Sequence, residues 1–142
     1  MYRLERFMFL LVGKIWPVAR VGLFPIIQLL EAYANVDINY HADIGPGIVI
    51  LHSAVGIVIS GHATIGSNLT LTGGNVIGAR PGVKSSAFVI GDNVSLGANA
   101  VVLGPLVLGN NVTVGASALV NKGFGSNCTL IGVPANVTER HG

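Results

Sequence analysis

Among the side chains that can move a proton near neutral pH, His52 has the most unusual setting. It stands in Ile50-Leu51-His52-Ser53-Ala54-Val55, with aliphatic residues on both sides. An imidazole can act as a general base at neutral pH when a partner fixes which ring nitrogen carries the hydrogen. Asp37, fifteen residues earlier, is the carboxylate best spaced for that task. A plainer reading stands beside this one, in which His52 is a corner residue and Asp37 caps the entry to a strand. His41 and His62 read as solvated corner positions, and their spacings of eleven and ten residues from His52 do not suit a shared metal. The single cysteine, Cys128, excludes a disulfide framework and a cysteine-rich zinc module, and is compatible with a reducing compartment. No metal site is expected.

The elements that must hold these groups are written in a six-residue period. Aliphatic residues fall at Ile38, Ile44 and Ile50, then at Ile59, Ile65, Leu71 and Ile77, then at Ile90, Leu96, Val102, Leu108, Val114 and Val120. The following residue is often glycine, as at Gly45, Gly66, Gly78, Gly91, Gly97, Gly109 and Gly115, which accounts for much of a content of 20 glycines in 142 residues. Period six fits neither an amphipathic helix nor a sandwich of independent strands. It predicts a mainly β, solenoidal fold in which each unit is a short strand plus a corner, with glycine or asparagine accepting the positive φ of the turn. Three units make a coil of eighteen, so Asp37 and His52 come to adjacent coils near one edge. The five Asn-x-Ser/Thr sequons beginning at Asn68, Asn93, Asn111, Asn127 and Asn136 read as corners rather than glycosylation acceptors. Two slips break the period: Ile50 to Ile59 runs three residues beyond one unit, and Ile77 to Ile90 one beyond two units. The second slip contains Arg80, Pro81, Gly82, Val83, Lys84, Ser85 and Ser86, a polar run expected to leave the prism as a loop somewhere in 78–89.

Residues 1–35 differ in kind from the repeat domain, 36–142. The net charge of +2 arises here, from Arg3, Arg6, Lys14 and Arg20 against Glu5 and Glu31. The remainder is balanced and carries neither a basic stripe nor interleaved aromatics, so no nucleic-acid partner is expected. The segment is strongly apolar, yet charges and prolines cut it into uncharged runs shorter than the roughly 18 to 20 residues of a bilayer span. No small-x-small cleavage site follows the first apolar run. Two short helices are expected, near 3–15 and 26–34, with Pro25 at a helix start. Their apolar surface fits packing on the main body or a neighbouring subunit, or an interfacial position at the inner face of the cytoplasmic membrane.

The units Ile-Gly-Asp-Asn-Val-Ser, Leu-Gly-Ala-Asn-Ala-Val, Leu-Gly-Asn-Asn-Val-Thr and Val-Gly-Ala-Ser-Ala-Leu, closed by Gly132-Val133-Pro134-Ala135, resemble the hexapeptide-repeat acyltransferases. Val36-Asp37-Ile38 and Ile50 to Val58 are similar to serine acetyltransferases and to the O-acetyltransferases of bacterial exopolysaccharide and capsule pathways. The resemblance implies a left-handed parallel β-helix, a homotrimer and acetyl-CoA as co-substrate, with His52 as base and Asp37 as its orienting acid. It implies a groove for the pantetheine arm at Gly97, Ala98, Ala116, Gly132 and Pro134. Lys122 would face the CoA phosphates, and Arg80 and Lys84 the phosphates or the acceptor. A glycine corner at Gly73 or Gly74 is the expected donor to the oxyanion. The sequence departs from serine acetyltransferases at Leu51, where they carry aspartate, and in Gly74 to Ser86, where only Arg80-Pro81 matches their serine-contacting loop. Their long N-terminal helical domain has no counterpart in these residues. A saccharide hydroxyl is therefore the expected acceptor, with serine as the alternative small molecule, in a cytoplasmic enzyme. Against these stand a γ-class carbonic anhydrase, which needs three histidines on one zinc, and a non-catalytic solenoid, which would carry a repeated Thr-x-Thr ladder where only Thr70-Leu71-Thr72 has that form.

Overall fold

The structure, a computed structural model, describes residues 2–82 and 88–138. Helices α1 (Tyr2–Val12) and α2 (Trp16–Ala34) are joined by a single 3-10 turn, Gly13–Ile15, and lead directly into fifteen short strands. The strands β1 (Val36–Ile38), β2 (Asp43–Ile44) and β3 (Val49–Ile50) form the first coil. The second comprises β4 (Ile57–Ile59), β5 (Thr64–Ile65) and β6 (Thr70–Leu71), and the third β7 (Asn75–Ala79), β8 (Phe88–Ile90) and β9 (Ser95–Leu96). The fourth comprises β10 (Val101–Gly104), β11 (Leu106–Leu108) and β12 (Thr113–Val114). A partial fifth follows with β13 (Leu119–Val120) and β14 (Thr129–Ile131), before β15 (Asn136–Thr138).

Through β13 every third strand stacks, and β14 then joins β12, which generates three parallel sheets: β1-β4-β7-β10-β13 (sheet A), β2-β5-β8-β11 (sheet B), and β3-β6-β9-β12-β14 (sheet C). The exception is β15, which turns back antiparallel on β14. The thirteen periodic aliphatics line the interior and are buried, except Ile38 and Ile50 of the first coil, which are half-buried. The solenoid expected from the period is therefore present.

The slips resolve differently from their arithmetic. Val36 pairs with Ile57, three residues later than an eighteen-residue coil would bring, because the corner after β3 holds a 3-10 turn, Ser53–Val55. Ile77 and Ile90 lie on neighbouring sides of the prism, so their thirteen residues turn one corner with seven inserted, rather than two units with one. Of that insertion, 83–87, including Lys84, lies outside the described residues.

The reason for the repeat glycines also differs. Gly45, Gly66, Gly91, Gly97, Gly109 and Gly115 do not take positive φ; that conformation falls to Asn68, Asn93, Asn99, Asn111, Ser117 and Asn127. The glycines are required because the next coil approaches too closely for a side chain: a Cβ at Gly97 would lie 2.6 Å from the Ala116 nitrogen. Four of the five sequon asparagines are left-handed corners, and their amides form a ladder, Asn68 donating to Asn93 (3.0 Å), Asn93 to Asn111 (3.1 Å) and Asn111 to Asn127 (2.9 Å). Asn136 is not a corner; it lies in β15.

Helix α2 begins ten residues earlier than expected. Pro17 occupies its first turn, where a missing N–H is harmless, and Pro25 lies inside it. The helices cap the open end of coil 1 with polar groups. Tyr2 Oη donates to Ala42 O (2.7 Å), Arg3 to Ile44 O and Gly45 O (2.8 and 2.6 Å), and Arg6 to His41 O (3.1 Å). Arg6 also pairs with Asp43 at 3.3 Å. Glu5 is buried and ion-paired to Arg20 at 2.9 Å, and Arg20 reaches Glu31 at 3.4 Å.

Candidate active site

His52 opens the corner between sheets C and A and is exposed. Its backbone N–H donates to Thr72 O (3.0 Å), which stacks the corner on that of the next coil. Gly73 makes this stacking possible: a Cβ there would press on Val55 and come within 2.6 Å of the His52 carbonyl oxygen. From the other side, Asn35, itself in left-handed conformation, donates through Nδ2 to Ala54 O (2.6 Å) and accepts at its carbonyl from Ile57 N–H. Asp37 lies two residues beyond, exposed on the outer face of β1 and paired in register with Val58. Asp37 thus stands on the face of sheet A that adjoins the corner opened by His52, with no hydrogen bond between their side chains among the described residues.

The same edge continues up the prism through the expected donor groove. Gly97 and Ala98 follow β9, Gly115 and Ala116 follow β12, and Gly132 and Pro134 follow β14, each one coil above the last. Backbone bonds tie the column together: Asn99 N–H to Gly73 O (2.9 Å), Ser117 N–H to Ala98 O (2.8 Å) and Leu119 N–H to Gly132 O (3.0 Å). Small residues leave this edge low.

Two expected residues lie elsewhere. Arg80, exposed, and Lys122, also exposed, are on the opposite margin of sheet A, where sheet A turns into sheet B. Lys122 Nζ donates to Asn136 Oδ1 at 3.4 Å and sits 5.4 Å from the Phe124 ring centroid. Lys84 is outside the described residues. One expectation is overturned. The N–H groups of Gly73 and Gly74 are already spent, on Asn75 Oδ1 (2.9 Å) and Gly56 O (2.7 Å), so neither is free for an oxyanion.

A cleft of about 430 Å³ opens beside the His52 corner, lined by Val55 and Gly56, by Asp37, Asn35 and Asn75, and by Gln28 and Glu31 of α2. Burial holds the Glu31 carboxyl above its usual range, against the lowering effect of Arg20 and with smaller raising contributions from Glu5 and Asp37. A second cleft of about 540 Å³ lies at the opposite margin, between Asp37, His41 and His62. There the His41 imidazole sits below its ordinary value, by burial first and then by Arg6 and His62. Among the described residues no group of three or more metal-ligating side chains converges.

Two features escaped the period-six reading. Asn75 is buried, and its Nδ2 donates to Gly97 O (2.7 Å) while Oδ1 takes the Gly73 N–H, so it locks two corners of the edge together. It occupies an inward position two before Ile77 that is apolar in the other coils, and a polar residue there is the signal. The second is an outward ladder on sheet A, Asp37-Val58-Val76-Val101-Leu119 in register, where sheet C presents Val49-Thr70-Ser95-Thr113-Thr129.

Residues 89–122 match the bacterial transferase hexapeptide family (six repeats), a segment that excludes both Asp37 and His52. Comparison with curated proteins gives no match. Among solved structures, serine acetyltransferase from Neisseria gonorrhoeae superimposes with a TM-score of 0.80 at 28% identity, over 98% of this chain and 51% of that one. The soybean serine acetyltransferase apoenzyme gives 0.79 at 28%, over 96% and 54%. A serine acetyltransferase in complex with CoA gives 0.76 at 26%, over 96% and 54%. The chain spans about half the length of the structures it matches, and its helices as well as its coils fall within the match.

Proposed function

We propose that this chain is an acyltransferase that moves acetyl from acetyl-CoA to a hydroxyl group, with His52 as general base. The observation that carries the reading is the exposed imidazole at the foot of a column of small corner residues, with Asp37 on the adjoining face of sheet A. In this reading the acceptor hydroxyl gives its proton to the His52 imidazole as its oxygen attacks the thioester carbonyl. The tetrahedral adduct then expels the CoA sulfur, which takes that proton from the imidazolium, leaving an ester and a free thiol. Asp37 orients the imidazole once substrates fill the edge, apo distances at such sites being commonly long. The CoA-bound neighbour at 26% identity supports the choice of donor.

The unit is proposed to be a homotrimer. The aliphatic ladder of sheet A supplies the face on which a second copy packs, and Asp37 stands at the foot of that ladder. Such packing sets the small-residue edge of one copy near the Arg80 and Lys122 margin of the next, which would provide the cations for the CoA phosphates.

The proposed acceptor is a saccharide. The cleft beside His52 is lined by Gln28, Asn35, Asn75 and two carboxylates, Glu31 and Asp37, and by no cation, which suits a polyol better than a substrate carboxylate. Serine is the second reading, favoured by structural neighbours that are serine acetyltransferases, one of them in complex with serine. The test is thiol release from acetyl-CoA with serine and with a panel of nucleotide sugars, alongside His52→Ala. Turnover with a sugar that drops about a hundredfold or more in the variant is the expected result. Turnover with serine alone selects the second reading, and full activity in the variant removes His52 as base.

A further inference from the structure

We propose that α1 and α2 seat this protein on a lipid bilayer, lying flat in its surface with the first coil nearest the membrane. The inference does not rest on the proposed activity.

The helices are turned inside out relative to a soluble cap. Their polar groups face the prism: Tyr2, Arg3 and Arg6 bond carbonyls of coil 1, and Glu5, Arg20 and Glu31 form one buried or half-buried ion cluster. Arg20 also stacks 5.2 Å from the Tyr40 ring centroid. The apolar groups face away: Leu4, Phe7, Leu10 and Leu11 on α1 are each about 60% exposed or more.

The breadth of the apolar surface on α2 selects the occupant. At about 100° per residue, Trp16, Arg20, Ile27 and Glu31 fall within a sector of about 60° that faces the chain. The exposed Val18, Val21, Leu23, Phe24, Ile26, Leu29, Leu30 and Tyr33 occupy the rest of the circumference, interrupted by one polar residue, Gln28. A helix of a second copy would cover a stripe of about 100° and leave most of this surface in water. Lipid tails cover it all. Charge agrees with a bilayer. Both helix carboxylates are committed inward to Arg20, and Lys14 is exposed at the bend between the helices, a cation of the kind an anionic leaflet would favour.

By length and composition the helical stretch Tyr2–Ala34 could also cross a bilayer. Its attachments argue for lying flat. The far end of α2 runs into β1 through Asn35 alone, and its near half is held by Arg20 to Glu5 and Tyr40. Both halves therefore stay on coil 1, and standing upright in lipid would strip Arg20 of Glu5 and of the Tyr40 ring. In the flat position the cleft that Gln28 and Glu31 help to line opens at the level of the headgroups.

The experiment is flotation of the purified full chain with vesicles of phosphatidylcholine alone and of phosphatidylcholine with a minority of phosphatidylglycerol. The chain should float with both and more completely with the anionic vesicles. V18E/L29E should reduce the floated fraction at least about tenfold while the far-UV circular dichroism and melting temperature are retained. If that variant does not fold, hydrogen exchange of the unaltered chain decides the matter, the amides of 16–34 slowing on addition of vesicles. A chain that stays with the soluble fraction, a folded variant that floats undiminished, or an oligomer whose helix amides are protected without lipid each overturns the proposal.

Discussion

At the scale of single residues, the corner that carries His52 depends on what lies beneath it. Gly73→Ala adds a methyl group against the His52 carbonyl at a residue with φ of +140°, so the corner must lift. Turnover in the thiol-release assay should fall at least about tenfold, since a shift near 1 Å at a reacting group has effects of that order or larger. Asp37→Asn should lower kcat about tenfold or more and leave the KM for acetyl-CoA within about twofold, because in the proposed mechanism it removes an orienting charge and no donor contact. His41 gives a pH effect on stability. Its pKa is depressed in the folded chain, so the unfolded chain takes up the proton first as pH falls. The stabilisation it provides is complete above the ordinary value of about 6.5 and declines as pH drops through that value toward the folded one. The fall in melting temperature between about pH 7.5 and 5.5 should therefore be smaller in His41→Gln. His52 could be singled out from its flanking aliphatics alone, whereas Asn75 could not be weighed without seeing which corners it ties. The occupied N–H groups of Gly73 and Gly74 depend on partners in other coils, which adjacent residue types do not reveal.

At the scale of elements, the asparagine ladder separates two contributions that one side chain makes together. Asn93 both holds φ at 55° and passes a hydrogen bond along the column. Asn93→Gly keeps the backbone and loses the ladder, and Asn93→Ala loses both. Urea unfolding should place the alanine variant about 1 kcal/mol or more below the glycine variant, the penalty of left-handed backbone at a Cβ-bearing residue. The strands and their inward faces were legible because burial on a flat strand imposes a strict alternation that the period preserves. The glycines were legible as positions and misread as to cause: a composition rich in glycine does not distinguish a turn that needs positive φ from a wall that passes within contact distance. The helix start was missed for a related reason. Pro17 and Pro25 are both admissible first-turn residues, and the contacts that hold α2 as one helix against the chain, Arg20 to Glu5 and to the Tyr40 ring, are tertiary.

At the scale of the whole molecule, the outward ladder of sheet A is the face through which the proposed trimer would tie assembly to activity. Val76→Glu and Val101→Glu place charge in the middle of that face, so light scattering should report loss of the proposed trimer with far-UV circular dichroism unchanged, and turnover should fall with it. The ladder was open to inspection in the sequence, one residue out of phase with the inward positions, but its meaning requires knowing that the strands stack in register. Finally, consider the two termini of the column of coils. A rod of stacked rungs with bare rims is a template for copies of itself, because its last rung offers unpaired N–H and C=O groups to the first rung of another rod. Here the reversed strand β15 blocks one rim along β14 and the helices sit over the other. Removing residues 132–142 would unseal the upper rim, and thioflavin-positive filaments growing with protein concentration are the outcome to look for.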